Sequence, residues 1–364
     1  VDGPSTFLKR WQAEVVEETS SEGPSMGEVV TIGLDLAKNV FQVHGIAADG
    51  KVLVCRQLRR GEVLKFFQSV PPCLVGLEAC GTAHYRAREI AALGHKVKLM
   101  PPAYVKPYVK RGKTDAADAE AICEAVTRPT MRFVAIKTVD QQAALMLHKT
   151  RDLLVRQRTM LINGLRGHLA EFGIIAAKGP EGVKAVTAAL HEAQDRLPEL
   201  ARLALHGIVD QLRQLEAEID RLEKRILAWH RASEVSRRLA TIPGIGPITA
   251  SAIAAAVPDG TLFRSGRQFA AWLGLTPKAH SSGGKERHVG ISKQGDGCLR
   301  RLLVVGATAV MRLARKDNAS RSWATKLLER KPAKLAAVAL ANKTARIAWV
   351  VMTRGVTYAA PSAA

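Results

Sequence analysis

The sequence predicts an α/β N-terminal domain, a helical coiled-coil middle and a mainly α C-terminal domain with a helix-hairpin-helix-like motif. Three observations carry this reading. Residues 29–130 alternate between β-rich runs and helical segments, residues 208–229 repeat apolar side chains at 4-3 spacing, and a Pro-Gly-Ile-Gly-Pro turn at 243–247 joins two helical stretches. The parts are an extension at 1–27, an α/β domain at 28–138, helices at 139–235, a C-terminal domain at 236–325, and a basic helical segment and tail at 326–364.

Residues 1–25 are polar, rich in Ser, Glu and Gly, and end at Met26. The first strand-like run follows at once, so Met26 is expected to be the natural start and the preceding segment misassigned or disordered. VVTIGLDLA and the next two β-rich runs, separated by the hairpin signal Asp49-Gly50, predict a three-stranded antiparallel start. Helical GEVLKFFQSV, strand-like CLVGLE, helical HYRAREIAALG and strand-like HKVKLM follow, until Pro101-Pro102 breaks the pattern. Such βαβ units predict a sheet with helices packed on it.

From 139 to 232 the chain reads as long helices. Ile208, Leu212, Leu215, Ile219, Leu222, Ile226 and Trp229 form a coiled-coil seam. A second copy of the chain is the favoured partner for this seam; the competing arrangement is an antiparallel hairpin closed within one chain against 143–172. In RRLATIPGIGPITASAIAAAV, the turn glycines either let backbone amides approach a phosphate or simply make a tight helix connection.

The chain has 54 Lys+Arg against 33 Asp+Glu, a formal charge of +21. Such an excess favours a polyanionic partner. Residues 264–354 hold 19 Lys+Arg and 4 Asp+Glu, so the charge is concentrated where nucleic-acid contact is expected. The sequence shows neither a signal-peptide pattern nor an uninterrupted apolar run of about 18 residues, which disfavours a membrane as the partner. Cys55, Cys73, Cys80, Cys123 and Cys298 are scattered, odd in number and without a C-x-x-C pair. This spacing argues against a disulfide framework or a zinc site and fits a reducing cytoplasm. Cys80, two residues after Glu78, reads as a small buried filler.

Four carboxylates stand in contexts suited to a metal ion. Asp35 ends the apolar run of VVTIGLD, and Glu78 repeats the device in CLVGLE. Asp115 and Asp118 lie three residues apart in KTDAADAEAI, on one face of a predicted helix. Oxygen donors suit hard ions such as Mg²⁺, and paired ions handle phosphodiester chemistry.

A second constellation is AHSSGGKERHVGISKQGDGCLRRLL. Ser281 and Ser282 are followed by Gly283-Gly284 and by Lys285, Arg287 and Lys293, and a helix then opens with Arg300 and Arg301. A serine in a cation-lined loop serves as a phosphate ligand or as a nucleophile, the latter needing activation and cationic charge stabilisation. The residues alone do not choose between these roles.

GLDLAKNVFQVHG, LEACGTAHYRAREI, RGKTDAADAEAI, IPGIGPITASAI and SSGGKERHVGISKQGDGCLRRLL occur in one order over about residues 28–325. Together they resemble the DEDD-type insertion-sequence transposases, the bridge-RNA-guided recombinase family, whose relatives include invertases of the Piv kind. The resemblance implies a RuvC-like, RNase H-type N-terminal domain, a coiled-coil insertion and a C-terminal domain bearing an essential serine. It places the family's four acids on Asp35, Glu78, Asp115 and Asp118, as catalytic ligands of two Mg²⁺ ions. Its serine precedes a glycine, which matches Ser282, with Ser281 adjoining it. It also implies a structured guide RNA beside donor and target DNA.

The expected function is site-specific recombination of a mobile element by a homodimer or homotetramer, through a serine–DNA covalent intermediate. Ser281, Lys285, Arg287, Lys293, Arg300 and Arg301 are the expected nucleic-acid contacts, each cation adding salt-sensitive affinity rather than sequence choice. The alternative is a metal-dependent Holliday-junction-type resolvase with water as the nucleophile. A non-catalytic binding protein is disfavoured by the four intact acids.

Overall fold

The computed structural model describes residues 29–110, 112, 114–177, 182–279, 283, 288–316 and 323–359. The extension through residue 28, Met26 included, lies outside them. Two compact units meet in the sequence between Ile136 and Lys137.

The first unit is built on a five-stranded sheet. Its strands are β1 (Thr31–Leu36), β2 (Val40–Ile46), β3 (Val52–Arg59), β4 (Leu74–Glu78) and β5 (Lys96–Met100), in spatial order β3-β2-β1-β4-β5. β1, β2 and β3 pair antiparallel, with Gly50 at φ +88° in the connecting turn, whereas β1, β4 and β5 run parallel. Alternation along the strands sorts the two faces. Ile32, Leu34, Phe41, Val43, Val75 and Leu77 point to one side, where α1 (Val63–Ser69) and α2 (Ala83–Ala92) cover them with Phe66, Phe67, Ala87 and Ile90. His95 ties this layer together, its ring bridging the Cys73 amide at 3.2 Å and the Phe67 carbonyl at 2.8 Å. A short helix α3 (Pro102–Val105) precedes α4 (Asp115–Val126), which crosses the opposite face of the sheet. Cys80, expected to be buried, is exposed in the loop after β4, while Cys73 and Cys123 take the buried positions. Burial pushes the Cys73 and Cys123 thiols up to about 11 and about 12.

The second unit is helical. Its long helices are α5 (Val139–Glu171) and α7 (Glu199–Ala232), with α6 (Gly182–Glu192) between them. Thr138 and Gln141 form a reciprocal capping box that starts α5. In α7 the buried positions Leu205, Leu212, Ile219 and Ile226 recur every seven residues. Within the chain, α5 packs along this helix. Arg151 reaches Glu223 at 2.7 Å and Arg158 reaches Glu216 at 4.0 Å, which sets α5 and α7 antiparallel. A covalently tethered helix meets the seam without the translational entropy cost of association.

Then come α8 (Glu234–Leu239), α9 (Pro247–Ala256), α10 (Gly266–Trp272), a two-stranded arm β6 (Pro277–Ala279) and β7 (His288–Ile291), α11 (Gly297–Lys316), α12 (Trp323–Arg330) and α13 (Ala333–Arg354). Between α8 and α9, Gly244 takes φ +87°, and a Cβ there would lie 3.2 Å from the Gly306 backbone of α11. Of the two turn glycines, Gly244 is thus used for internal packing, as a tight helix connection requires, whereas Gly246 faces open space. Among the described residues α13 is the one helix long and apolar enough to cross a membrane, a feature that its scattered cations mask in the sequence. It packs as a core helix, burying Ala336, Ala337, Ala341, Thr344, Ala345, Ala348 and Val351.

His148 on α5 is buried, and burial pulls its pKa down to about 4, with Arg151 acting in the same direction and Asp296 opposing. The unfolded chain takes up this proton near pH 6.5. The stabilising contribution is therefore complete above pH ~6.5 and declines as the pH falls toward ~4. Between about pH 7.5 and pH 5 the urea unfolding free energy should fall by about 2 kcal/mol from this group. His148→Gln should flatten that slope; an unchanged slope would assign the acid sensitivity elsewhere.

Candidate functional site

The two strand-borne acids occupy equivalent places. In the parallel register of β1 and β4, Gly33 lies opposite Gly76. Two residues along each strand, on the same face, come Asp35 and Glu78. The glycines explain the repeated Gly-Leu-acid pattern. A Cβ on Gly33 would lie 2.1 Å from the Ala119 carbonyl oxygen, and one on Gly76 would lie 2.8 Å from the Val126 Cβ. α4 thus rests directly on the sheet backbone, and only glycine permits the approach.

That seat also orients α4. Cys123 and Ala119 lie over Gly33, and the Cys123 thiol reaches the Thr31 carbonyl at 3.8 Å. The helix therefore runs opposite to β1, and its first turn points toward the end of the strand that carries Asp35. Asp115 and Asp118 lie in that turn, behind the N-cap Thr114, whose hydroxyl accepts from the Ala117 amide at 3.2 Å. Carboxylates there also complement the helix dipole. All four acids consequently share one face and one end of the sheet. Among the described residues no three acidic, His or Cys side chains gather tightly enough to hold a metal ion by themselves.

Beside them Lys110 pairs with Glu120 at 2.6 Å. His44, opposite Gly33 in β2, is buried under α4. Burial lowers its pKa, against a smaller raising effect of Glu120.

In the second unit Ser281, Ser282, Lys285 and Arg287 lie in the segment joining β6 to β7, outside the described residues. The base of that arm is described and is tightly built. Gly274 (φ +70°) and Gly295 (φ +71°) pack so closely that a Cβ would lie 2.3 Å from the Gln294 oxygen or 1.9 Å from the Trp272 oxygen. Arg300 donates to the Leu273 carbonyl at 3.0 Å and to the Gln294 carbonyl at 2.7 Å, bracing the two ends of the arm against α10. Lys293 adopts φ 56°, a left-handed conformation uncommon for a side-chain-bearing residue, and its amide donates to the Gly274 carbonyl at 3.2 Å. Asp296 caps α11, accepting from the Cys298 amide at 2.7 Å and the Leu299 amide at 3.1 Å. Arg301 is ion-paired with Asp152 of α5. Arg300 and Arg301 thus have protein partners that the sequence pattern did not reveal, and Gly33, Gly76, Gly274 and Gly295 are positioning residues it did not single out. The Gly-Leu-acid repeat was the available signal for the first two.

Two family models match the chain: the IS110-type DEDD transposase model over residues 32–174, and the model described as transposase IS116/IS110/IS902 family over residues 236–322. A Sinorhizobium fredii protein named "Putative transposase y4pF/y4sB" is 50% identical over 363 residues, covering 98% of this chain and 92% of its own. The transposase for insertion sequence element IS1328 of Yersinia enterocolitica is 44% identical over 336 residues, covering 92% and 99%. The pilin gene-inverting protein of Moraxella bovis is 26% identical over 304 residues, covering 77% and 82%. A DEDD domain of this kind implies dependence on a divalent metal, and oxygen-only donors on one sheet face suit such an ion. The chain belongs to the IS116/IS110/IS902 family of DEDD transposases, enzymes that cleave and rejoin DNA in the transposition of insertion sequences.

Proposed function

We propose that the chain excises and inserts its element by Mg²⁺-dependent recombination, with Ser282 as the nucleophile and a structured RNA as the guide. The carrying observation is the placement of Asp35, Glu78, Asp115 and Asp118 on one face, fixed by Gly33 and Gly76 under α4. Those four carboxylates would hold two Mg²⁺ ions. Such ions retain waters and take substrate phosphate oxygens, so the carboxylates would supply only part of their coordination and the scissile phosphate would supply the rest. When bound they neutralise charge developing on phosphorus and on the departing oxygen.

The chain's own residues supply the remainder. The Ser282 hydroxyl gives up its proton as its Oγ bonds to phosphorus, and the bond from phosphorus to the departing deoxyribose oxygen breaks. That oxygen takes a proton and leaves as a hydroxyl. The diester bond count is conserved, so a new strand's hydroxyl can reverse the step and release the serine without hydrolysis. Ser281, Lys285, Arg287 and Lys293 contact phosphates. Arg300 holds the base of the serine arm, and Arg301 contributes when it exchanges Asp152 for a phosphate. Assembly across a dimer or tetramer brings the parts together in the cytoplasm.

The deciding experiment incubates purified protein with donor and target DNA, with and without RNA from the end of the element, in Mg²⁺ or in EDTA. Joined product is expected only with RNA and Mg²⁺ together. Product without RNA would remove the guide, and product in EDTA would remove the metal.

A further inference from the structure

Beyond residue 322, where the family match ends, α12 and α13 form a groove of ≈ 430 Å³. Its volume is that of a small-ligand cleft, in the range ~300–1,000 Å³. Trp323 at the start of α12 forms one wall, and Asn342, Lys343, Arg346, Ile347 and Val350 of α13 form the other. The spacing of these α13 residues places them on one face, while Ala341, Ala345 and Ala348 bury the opposite face in the core. The groove is therefore the solvent side of a helix whose apolar side is already satisfied.

Its chemistry is specific. Trp323 is 43% exposed, unusual for the largest aromatic side chain. Trp349, by contrast, turns inward and donates its indole N–H to the Gly260 carbonyl at 3.0 Å. The Lys343 ammonium lies 4.6 Å from the centre of the Trp323 ring. The Asn342 amide nitrogen donates to the Leu275 carbonyl at 3.1 Å, which fixes the side chain and leaves its oxygen as an acceptor. Arg346 is held from behind, since a Cβ on Gly266 would lie 3.0 Å from the Arg346 carbonyl oxygen. α12 is anchored by Leu327 and Leu328 against Met311 and Ala336. An exposed ring, two cations and a fixed amide acceptor make a rigid platform with charge beside it. Residues 323–359 carry seven Lys+Arg and one Glu, so the surroundings attract a polyanion.

We propose that this groove holds an unpaired nucleotide of a single strand, its base stacked on Trp323 and its flanking phosphates held by Lys343 and Arg346. Lys343 now covers the ring as a cation–π partner; on binding it exchanges the ring for a phosphate as the base takes its place. Sequence-tolerant stacking of this type is how single strands are held without reading bases. A paired base has both faces occupied by its neighbours and cannot take the position. The inference rests on the nucleic-acid reading of this chain and adds a second contact, outside both the acid set and the serine segment.

The test is fluorescence anisotropy of the full chain with labelled oligo-dT, oligo-U and duplex, each of about 12 nucleotides. Trp323→Ala should weaken single-strand binding by roughly 10-fold and duplex binding by less than about 2-fold. Trp323→Phe should retain most of the affinity. Lys343→Gln with Arg346→Gln should reduce the salt slope by about one to two phosphate contacts. A larger Trp323→Ala effect on oligo-U than on oligo-dT assigns the strand as RNA, and the converse as DNA. Equal loss on single strand and duplex, or no loss on either, would overturn the proposal. So would Trp323-dependent binding to phosphatidylglycerol vesicles in place of oligonucleotide binding, which would make the groove a lipid contact. Failure of the catalytic reading looks different, because inactive acid-site variants would leave these oligonucleotide affinities unchanged.

Discussion

Asp35→Asn is expected to reduce DNA strand cleavage by at least ~10³-fold, while the thermal unfolding midpoint stays within a few degrees of the parent. The size follows from what a carboxylate contributes through an ion. Removing one oxygen ligand forfeits several kcal/mol of charge stabilisation on the transferring phosphoryl group, and each ~1.4 kcal/mol is a factor of ten in rate. The small stability effect follows from position: Asp35 lies only partly buried near the end of β1, outside the apolar layer formed by Ile32 and Leu34. Gly33→Val provides the contrast, because its side chain would occupy the space of the Ala119 carbonyl and Cys123 amide. It should lose cleavage and stability together, by lifting α4 and with it Asp115 and Asp118. Gel analysis of nicked donor DNA and a thermal melt on the same samples separate the two. Cleavage by Asp35→Asn at the parental rate would remove the acid set from catalysis.

The contrast between Asp35 and Gly33 also shows why some of the fold was legible and some was not. Local chemistry was readable: Asp49-Gly50 made the β2–β3 turn, the 4-3 spacing made α7, and an acid after Gly-Leu stands at the end of β4 and one residue before the end of β1. The three-residue step placed Asp115 and Asp118 on one helical face, and the structure puts them in the first turn of α4. Long-range partners were not readable. Nothing in the α7 heptads states whether α5 or a second chain fills the seam, because apolar residues at that spacing suit either. Whether Gly244 serves a phosphate or a tight helix connection was open in the sequence, and the approach of Gly306 explains its packing role. Arg300 and Arg301 read as free cations, since a sequence shows their charge but not the Leu273 carbonyl or Asp152 that receives it. The Trp323 groove was invisible for the same reason, its two walls coming from separate helices.

Ser282→Ala is expected to abolish the covalent protein–DNA adduct, a loss of at least ~10⁴-fold, because a methyl group has no lone pair to give to phosphorus. DNA affinity should change by less than about 2-fold, since no cation is removed and phosphate contacts dominate binding. Ser281→Ala is the internal control: it keeps the adjoining hydroxyl and should retain the adduct. A denaturing gel with labelled donor DNA and Mg²⁺ reads all three proteins at once. If Ser282→Ala still nicks DNA at the parental rate and wild type yields no adduct, water is the nucleophile and the serine a phosphate ligand. If instead the adduct is lost only in Ser281→Ala, the nucleophile is displaced by one residue along the same segment. The tight packing at its base makes this comparison informative. Gly274, Gly295 and the paired carbonyl contacts of Arg300 fix where the arm leaves α10 and enters α11, and neither substitution removes any of those contacts. A change in adduct yield therefore reports the hydroxyl itself.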